Sequence, residues 1–208
     1  MRIILLNDVS TDLEQFNSSI VLGDIDVPVN DVGRQESIII GKHLSTETIH
    51  LVVSSPADRL IKLLHNLRQR EDSPVLARTS SSIPVYISSD LKERSFGVLN
   101  GTNIQSESSI FTHTRVCAEG GESVEQCRIR VRNCIDSYCD KYIDKNIVFV
   151  SHPHLCQILF NSLTNKDPSY VSGFWKLKGS CAFFDYSDST WNLEKSYNIV
   201  QHEKRVNP

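Results

Sequence analysis

Four side chains, far apart in the chain, have types that would do chemistry if the fold gathered them: Asp8, Arg59, Glu93 and His152. Asp8 and Glu93 can take up or release a proton, His152 is a group that titrates near neutrality, and Arg59 offers a planar fork of donors to an anionic group. Gathered in one cleft, they would serve acid/base catalysis on a small polar or anionic molecule, or they would neutralise one another. Three of them also have a plain structural reading: a surface cation for Arg59, a cap on a backbone amide for Glu93, a hydrogen-bonded core imidazole for His152. Asn7, Thr11 and Pro153 stand beside these residues and complete the candidate set.

These residues sit where strands are predicted to end. Arg2 to Leu6 is an apolar run that stops at Asn7-Asp8 and reads as a buried strand. Asn30 or Asp31 can cap a helix to about Leu44, and His50 to Ser54 reads as a second strand. Asp58 can cap a helix to about Arg70 with Leu60, Leu63, Leu64 and Leu67 at helical spacing, followed by a strand from Ile83 to Ile87. Ser123 can cap a helix with Val124, Cys127, Val131, Cys134, Ile135 and Tyr138 on one stripe. Asn146 to Ser151 is a further strand, Pro153 suits the first turn of the helix after it, and Ser180 to Tyr186 with Thr190 to Tyr197 form a closing hairpin. Alternation of this kind predicts an α/β three-layer sandwich, a mostly parallel central sheet with helices on both faces.

The 208 residues suit a single domain, 1–208, in which the Ser- and Thr-rich stretch 102–118 lacks a sustained period and reads as a mobile loop. Apolar residues make up 39% and charged ones 23%, with a net charge of −3, which excludes a polyanion-binding tail and leaves nucleic acid without a footprint. No run approaches the roughly 18 apolar residues of a membrane-spanning helix, so the expectation is a soluble cytoplasmic protein without a membrane partner. Six cysteines show no C-x-x-C pairing, and Cys127, Cys134 and Cys156 fall on apolar faces, the pattern of reduced core thiols. His152 and His154 make an H-x-H without a third ligand, so no metal and no cofactor is expected. Trp175 and Trp191 fit packing positions, and Arg128, Arg130 and Arg132 read as a solvated helix face.

Taken in order, the motifs resemble those of the histidine phosphatase (phosphoglycerate mutase-like) superfamily over nearly the whole chain. The segment G-D-I-D-V-P-V-N-D-V-G-R-Q-E from Gly23 to Glu36 is similar to the family's G-x-x-D-x-P-L-T-x-x-G-x-x-Q, and V-V-S-S-P-A-D-R from Val52 to Arg59 to its S-S-x-x-x-R. D-L-K-E-R-S-F-G-V-L-N-G from Asp90 resembles the segment that holds the family's acid/base glutamate. G-G-E-S from Gly120 and V-F-V-S-H-P from Val148 complete the series. By position the resemblance gives Arg59 a phosphate-binding role, Glu93 the general acid/base role and His152 the place of the second pocket histidine. The family's opening Arg-His-Gly is here Asn7-Asp8-Val9, so Asp8 stands where the phosphate-accepting histidine would be.

That replacement opposes phosphate binding. A carboxylate about 4 Å from a phosphate charge costs on the order of 4 kcal/mol at an effective dielectric near 20, and an amide at Asn7 removes a bidentate arginine contact. Val9 and Pro153, replacing glycines, add bulk where the family holds its ligand. Asp8 can pair with Arg59 and His152 in a closed ion cluster. An aspartyl-phosphate route would call for a magnesium ion, and Asp12 and Glu14 are the nearest acidic residues in sequence. The expectation is a pseudophosphatase acting by binding a protein partner or small-molecule ligand. The alternatives are altered acid/base chemistry through Asp8, Glu93 and His152, or residual phosphatase activity.

Overall fold

In the computed structural model, which describes residues 1–12, 20–68, 83–103, 117–167, 170 and 173–206, alternate residues of the first strand face opposite layers. This strand, β1 (Arg2–Leu6), sends Ile3 and Leu5 into one apolar core and Ile4 and Leu6 into the other. Such a strand is buried on both faces, which is why its sequence is continuously apolar rather than alternating.

The elements that follow are β2 (Ile20–Val21), α1 (Asp31–Leu44), β3 (Leu51–Ser54), α2 (Asp58–Arg68), β4 (Val85–Ile87) and β5 (Thr102–Asn103). After them come α3 (Val124–Lys141), β6 (Asn146–Val150), α4 (Pro153–Leu163), β7 (Ser180–Ser187), β8 (Thr190–Asn198) and α5 (Ile199–Val206). The main sheet runs β4-β3-β6-β1-β7-β8; β4, β3, β6 and β1 are mutually parallel, while β7 runs antiparallel to β1 and to β8. Val131, Ile135, Leu155 and Leu159 bring α3 and α4 onto one face. Ile40, Leu60, Leu63 and Ile199 bring α1, α2 and α5 onto the other. The sandwich expected from the sequence is therefore present.

Two caps match the sequence reading. Asn30 accepts the Gly33 N–H at 2.8 Å, and Ser123 forms a reciprocal capping box with Gln126. Asp58 is the first residue of α2 instead of a cap outside it. Gly33 cannot carry a side chain, because a Cβ there would stand 2.1 Å from the Ser10 carbonyl oxygen, so α1 presses directly on the loop after β1.

Part of the expected mobile loop is ordered: Thr102 and Asn103 pair with Ile20 and Val21 in a separate antiparallel ribbon. Residues 104–116 of that loop, the end of the second helix at residues 69–70, the Leu67 side chain and Glu14 lie outside the described residues. The cysteines are unpaired, and five of the six are buried. Burial pushes the Cys127, Cys139 and Cys181 thiols up to about 12, as apolar core positions require. Arg130 departs from the solvated-face reading: it forks onto the Glu122 carboxylate at 2.7 and 2.6 Å.

Candidate functional site

In an open parallel sheet, loops at the carboxyl ends of the strands build the site, and here the ends of β1, β3 and β6 deliver Asp8, Ser55 and His152 to one point. Because β7 runs antiparallel to β1, it begins where β1 ends, with Leu6 opposite Cys181. That reversal carries Lys178 to the same edge. Gly179 makes it possible, with φ at +74° and no room for a side chain against Val200; its N–H donates to the Asp8 carbonyl at 3.0 Å.

Asp8 is the centre of the cluster. Lys178 Nζ donates to Oδ1 at 2.8 Å, and Arg59 Nε donates to Oδ2 at 3.2 Å. Arg59 Nη1 reaches Asp26 Oδ1 at 3.0 Å, and its Nη2 lies 2.6 Å from His152 Nδ1. A guanidinium has no lone pair to offer, so Nδ1 is the acceptor in that contact. The ring proton is then on Nε2, which donates to Ser55 Oγ at 2.9 Å. His152 is thereby fixed as one neutral tautomer, and its 3.8 Å separation from Asp8 Oδ2 is too long for a direct hydrogen bond.

The centre of the cluster is buried, with Asp8 3%, Arg59 4% and His152 2% exposed, while Lys178 and Asp26 at its rim reach solvent. Burial alone would raise the Asp8 carboxyl, but Lys178, with Arg59 beside it, holds it well below the ordinary carboxylate range. Among the described residues the cluster's charges are Arg59 and Lys178 against Asp8 and Asp26. A phosphoryl group entering would meet two cations that are already paired.

The remaining candidates are placed as follows. Asn7, fully buried, donates from Nδ2 to the carbonyls of Trp175 and Leu177, both at 2.9 Å, and accepts the Ser180 N–H at 2.6 Å. Both amide hydrogens are used on the 175–180 segment, making Asn7 part of the wall. Glu93 reaches the N-terminus of α4, where Oε2 accepts the His154 N–H and Oε1 the Leu155 N–H, each at 3.1 Å, and Oε1 also accepts the Arg94 N–H at 2.9 Å. This is the capping reading of Glu93. Thr11 bridges Val29 and is buried behind α1, and Pro153 is the first residue of α4. Val9 departs from expectation: it packs with Val29, Ile40 and Leu60 in the core instead of narrowing the cleft. His152 and His154 also diverge, since the His154 ring stacks on Phe96 with centroids 5.9 Å apart.

Sequence reasoning missed Lys178, Ser55 and Asp26 as members. Ser55 and Asp26 lie inside motifs that the sequence displays, next to Pro56 and two residues before Pro28. Lys178 has no such signal, because only the antiparallel turn into β7 brings it to a partner 170 residues away.

Fold, strand-end site and comparison with known proteins agree on a class. The model of the histidine phosphatase superfamily (branch 1) matches residues 13–199, and the chain belongs to that superfamily. Asn7 and Asp8 lie outside the matched range. The chain is 28% identical over 151 residues to phosphoglycerate mutase-like protein 4 of Arabidopsis thaliana, covering 67% of this chain but only 62% of that protein, less than two thirds of its length. It is 20% identical over 181 residues to the uncharacterized phosphatase PhoE of Bacillus subtilis (strain 168), covering 86% of each. Among solved structures, a mycobacterial glucosyl-3-phosphoglycerate phosphatase complexed with VO3 superposes with a TM-score of 0.74 at 20% identity, over 95% of this chain and 98% of that one. A putative alpha-ribazole-5'-P phosphatase from Escherichia coli gives 0.75 at 18%, over 96% and 98%. These two share the fold.

Proposed function

We propose that this chain is a histidine-phosphatase-fold protein whose anion pocket is filled by its own Asp8 carboxylate, and that it acts by binding a protein partner or small ligand rather than by phosphohistidine chemistry. The observation that carries this is the pairing of the buried Asp8 carboxylate with both Lys178 and Arg59. Nucleophilic attack needs a free lone pair aimed at an open pocket, and here both Asp8 oxygens are bonded to cations. His152 offers no substitute nucleophile, because Nδ1 accepts from Arg59 and Nε2 is turned to Ser55. Altered acid/base chemistry finds little support, since Asp8 is locked and Glu93 is spent on backbone amides. No described helix is long and apolar enough to cross a membrane.

The test pairs turnover with anion binding. Wild type should hydrolyse p-nitrophenyl phosphate no faster than background and show no thermal shift with orthovanadate. Asp8→Asn removes one negative charge from between Arg59 and Lys178, so this variant should bind phosphate or vanadate and be stabilised by it. Wild-type turnover well above background that Asp8→Ala abolishes would overturn the proposal.

A further inference from the structure

A second group of titratable side chains meets where α1, β8 and α5 come together. His43, in the last turn of α1, has Nδ1 2.7 Å from Glu203 Oε1 and Nε2 2.6 Å from Tyr197 Oη. His202 Nδ1 lies 3.9 Å from the same Glu203 oxygen. The three ligand-type atoms are all within 4.8 Å of one another.

We propose that His43, His202 and Glu203 form a site for a divalent transition-metal ion such as zinc, with water in the remaining position. Two imidazoles and one carboxylate are the donors such borderline ions take. A tetrahedral ion with bonds of about 2.0–2.1 Å holds its donors roughly 3.3 Å apart. The observed separations of 2.7 and 3.9 Å fall on either side of that value. His202 is 52% and Glu203 27% exposed, so both can turn toward an ion arriving from solvent while His43, 14% exposed, stays fixed.

Tyr197 completes the arrangement. With the ion on Nδ1, the His43 ring proton is on Nε2 and donates to the Tyr197 hydroxyl, the outer partner that orients a metal-bound imidazole. A phenol oxygen has lone pairs with which to accept that N–H. The Tyr197 ring lies 5.4 Å from both imidazoles and keeps them on one side. A bound ion would clamp α5 to α1. The sequence carries no spacing signal for this site because His43 and Glu203 are 160 residues apart.

The experiment is cobalt titration of the full chain after chelator treatment, read by visible d–d absorption, followed by zinc competition. Wild type should give one equivalent of an intensified, non-octahedral cobalt spectrum that zinc abolishes, and zinc should raise its thermal midpoint. The double variant His202→Ala/Glu203→Gln changes only accessible side chains; circular dichroism confirms that it is folded. It should lose at least about tenfold in metal affinity and the zinc-induced thermal shift. Absence of wild-type binding at micromolar metal, or equal binding by the double variant, would refute the site.

Discussion

At the scale of single residues, a buried carboxylate decides what its neighbours do. Arg59 and Lys178 are both engaged in holding Asp8 in place. Removing one partner from a buried ion pair strands the others, which typically costs about 3–5 kcal/mol. Lys178 is 23% exposed and can recover some hydration, so Asp8→Asn should lose about 3 kcal/mol in urea unfolding at pH 7. The effect has a definite pH dependence. The Asp8 carboxyl is lower in the folded chain than in the unfolded one, so its contribution is full above the unfolded value of about 4 and fades as the pH falls further toward the folded value. The stability gap between wild type and Asp8→Asn should therefore be constant from pH 7 to 5 and shrink at pH 3. A gap that widened on acidification would contradict the pairing.

At the scale of elements, α4 depends on a residue outside itself. His152, its N-cap, makes no side-chain cap bond, and Pro153 has no N–H, so the exposed amides of the first turn fall to Glu93. A carboxylate there complements the helix dipole as well as the donors. Glu93→Gln should cost about 1 kcal/mol by urea denaturation, with no effect on anion binding in an Asp8→Asn background. A general acid would instead show its loss in turnover. Much of this was legible in the sequence: apolar runs marked β1 and β6, and Asn30 and Ser123 announced their helices. The ribbon of β2 and β5 was not, because two-residue strands carry no period. Helix α5 escaped for a related reason, since among its described side chains only Ile199 and Val200 at its start are buried in the core. Arg59, Asp8 and His152 were read together through family motifs, whereas Lys178 depends on strand direction, which residue types do not encode.

At the scale of the whole molecule, the Asp8 cluster draws on residues 8, 55 and 152 after three parallel strands, Arg59 in the first turn of α2, Asp26 in the stretch between β2 and α1, and Lys178 in the turn into an antiparallel strand. Asn7 adds a further tie to the same turn through Trp175, Leu177 and Ser180. The metal site joins α1 to the chain's last described helix in the same long-range manner. Contacts of such separation bear the loop-closure cost of nearly the entire chain before they return anything. The Lys178 bond to Asp8 spans 170 residues and needs β1 and β7 aligned, which predicts that it forms after the rate-limiting step of folding. Its energy then acts almost wholly on the unfolding barrier. Stopped-flow measurements should find Asp8→Asn folding at the wild-type rate and unfolding on the order of a hundredfold faster, the kinetic equivalent of about 3 kcal/mol. The sealed carboxylate would then serve the chain as a clasp fastened last, one that sets how long the native state survives once it has formed.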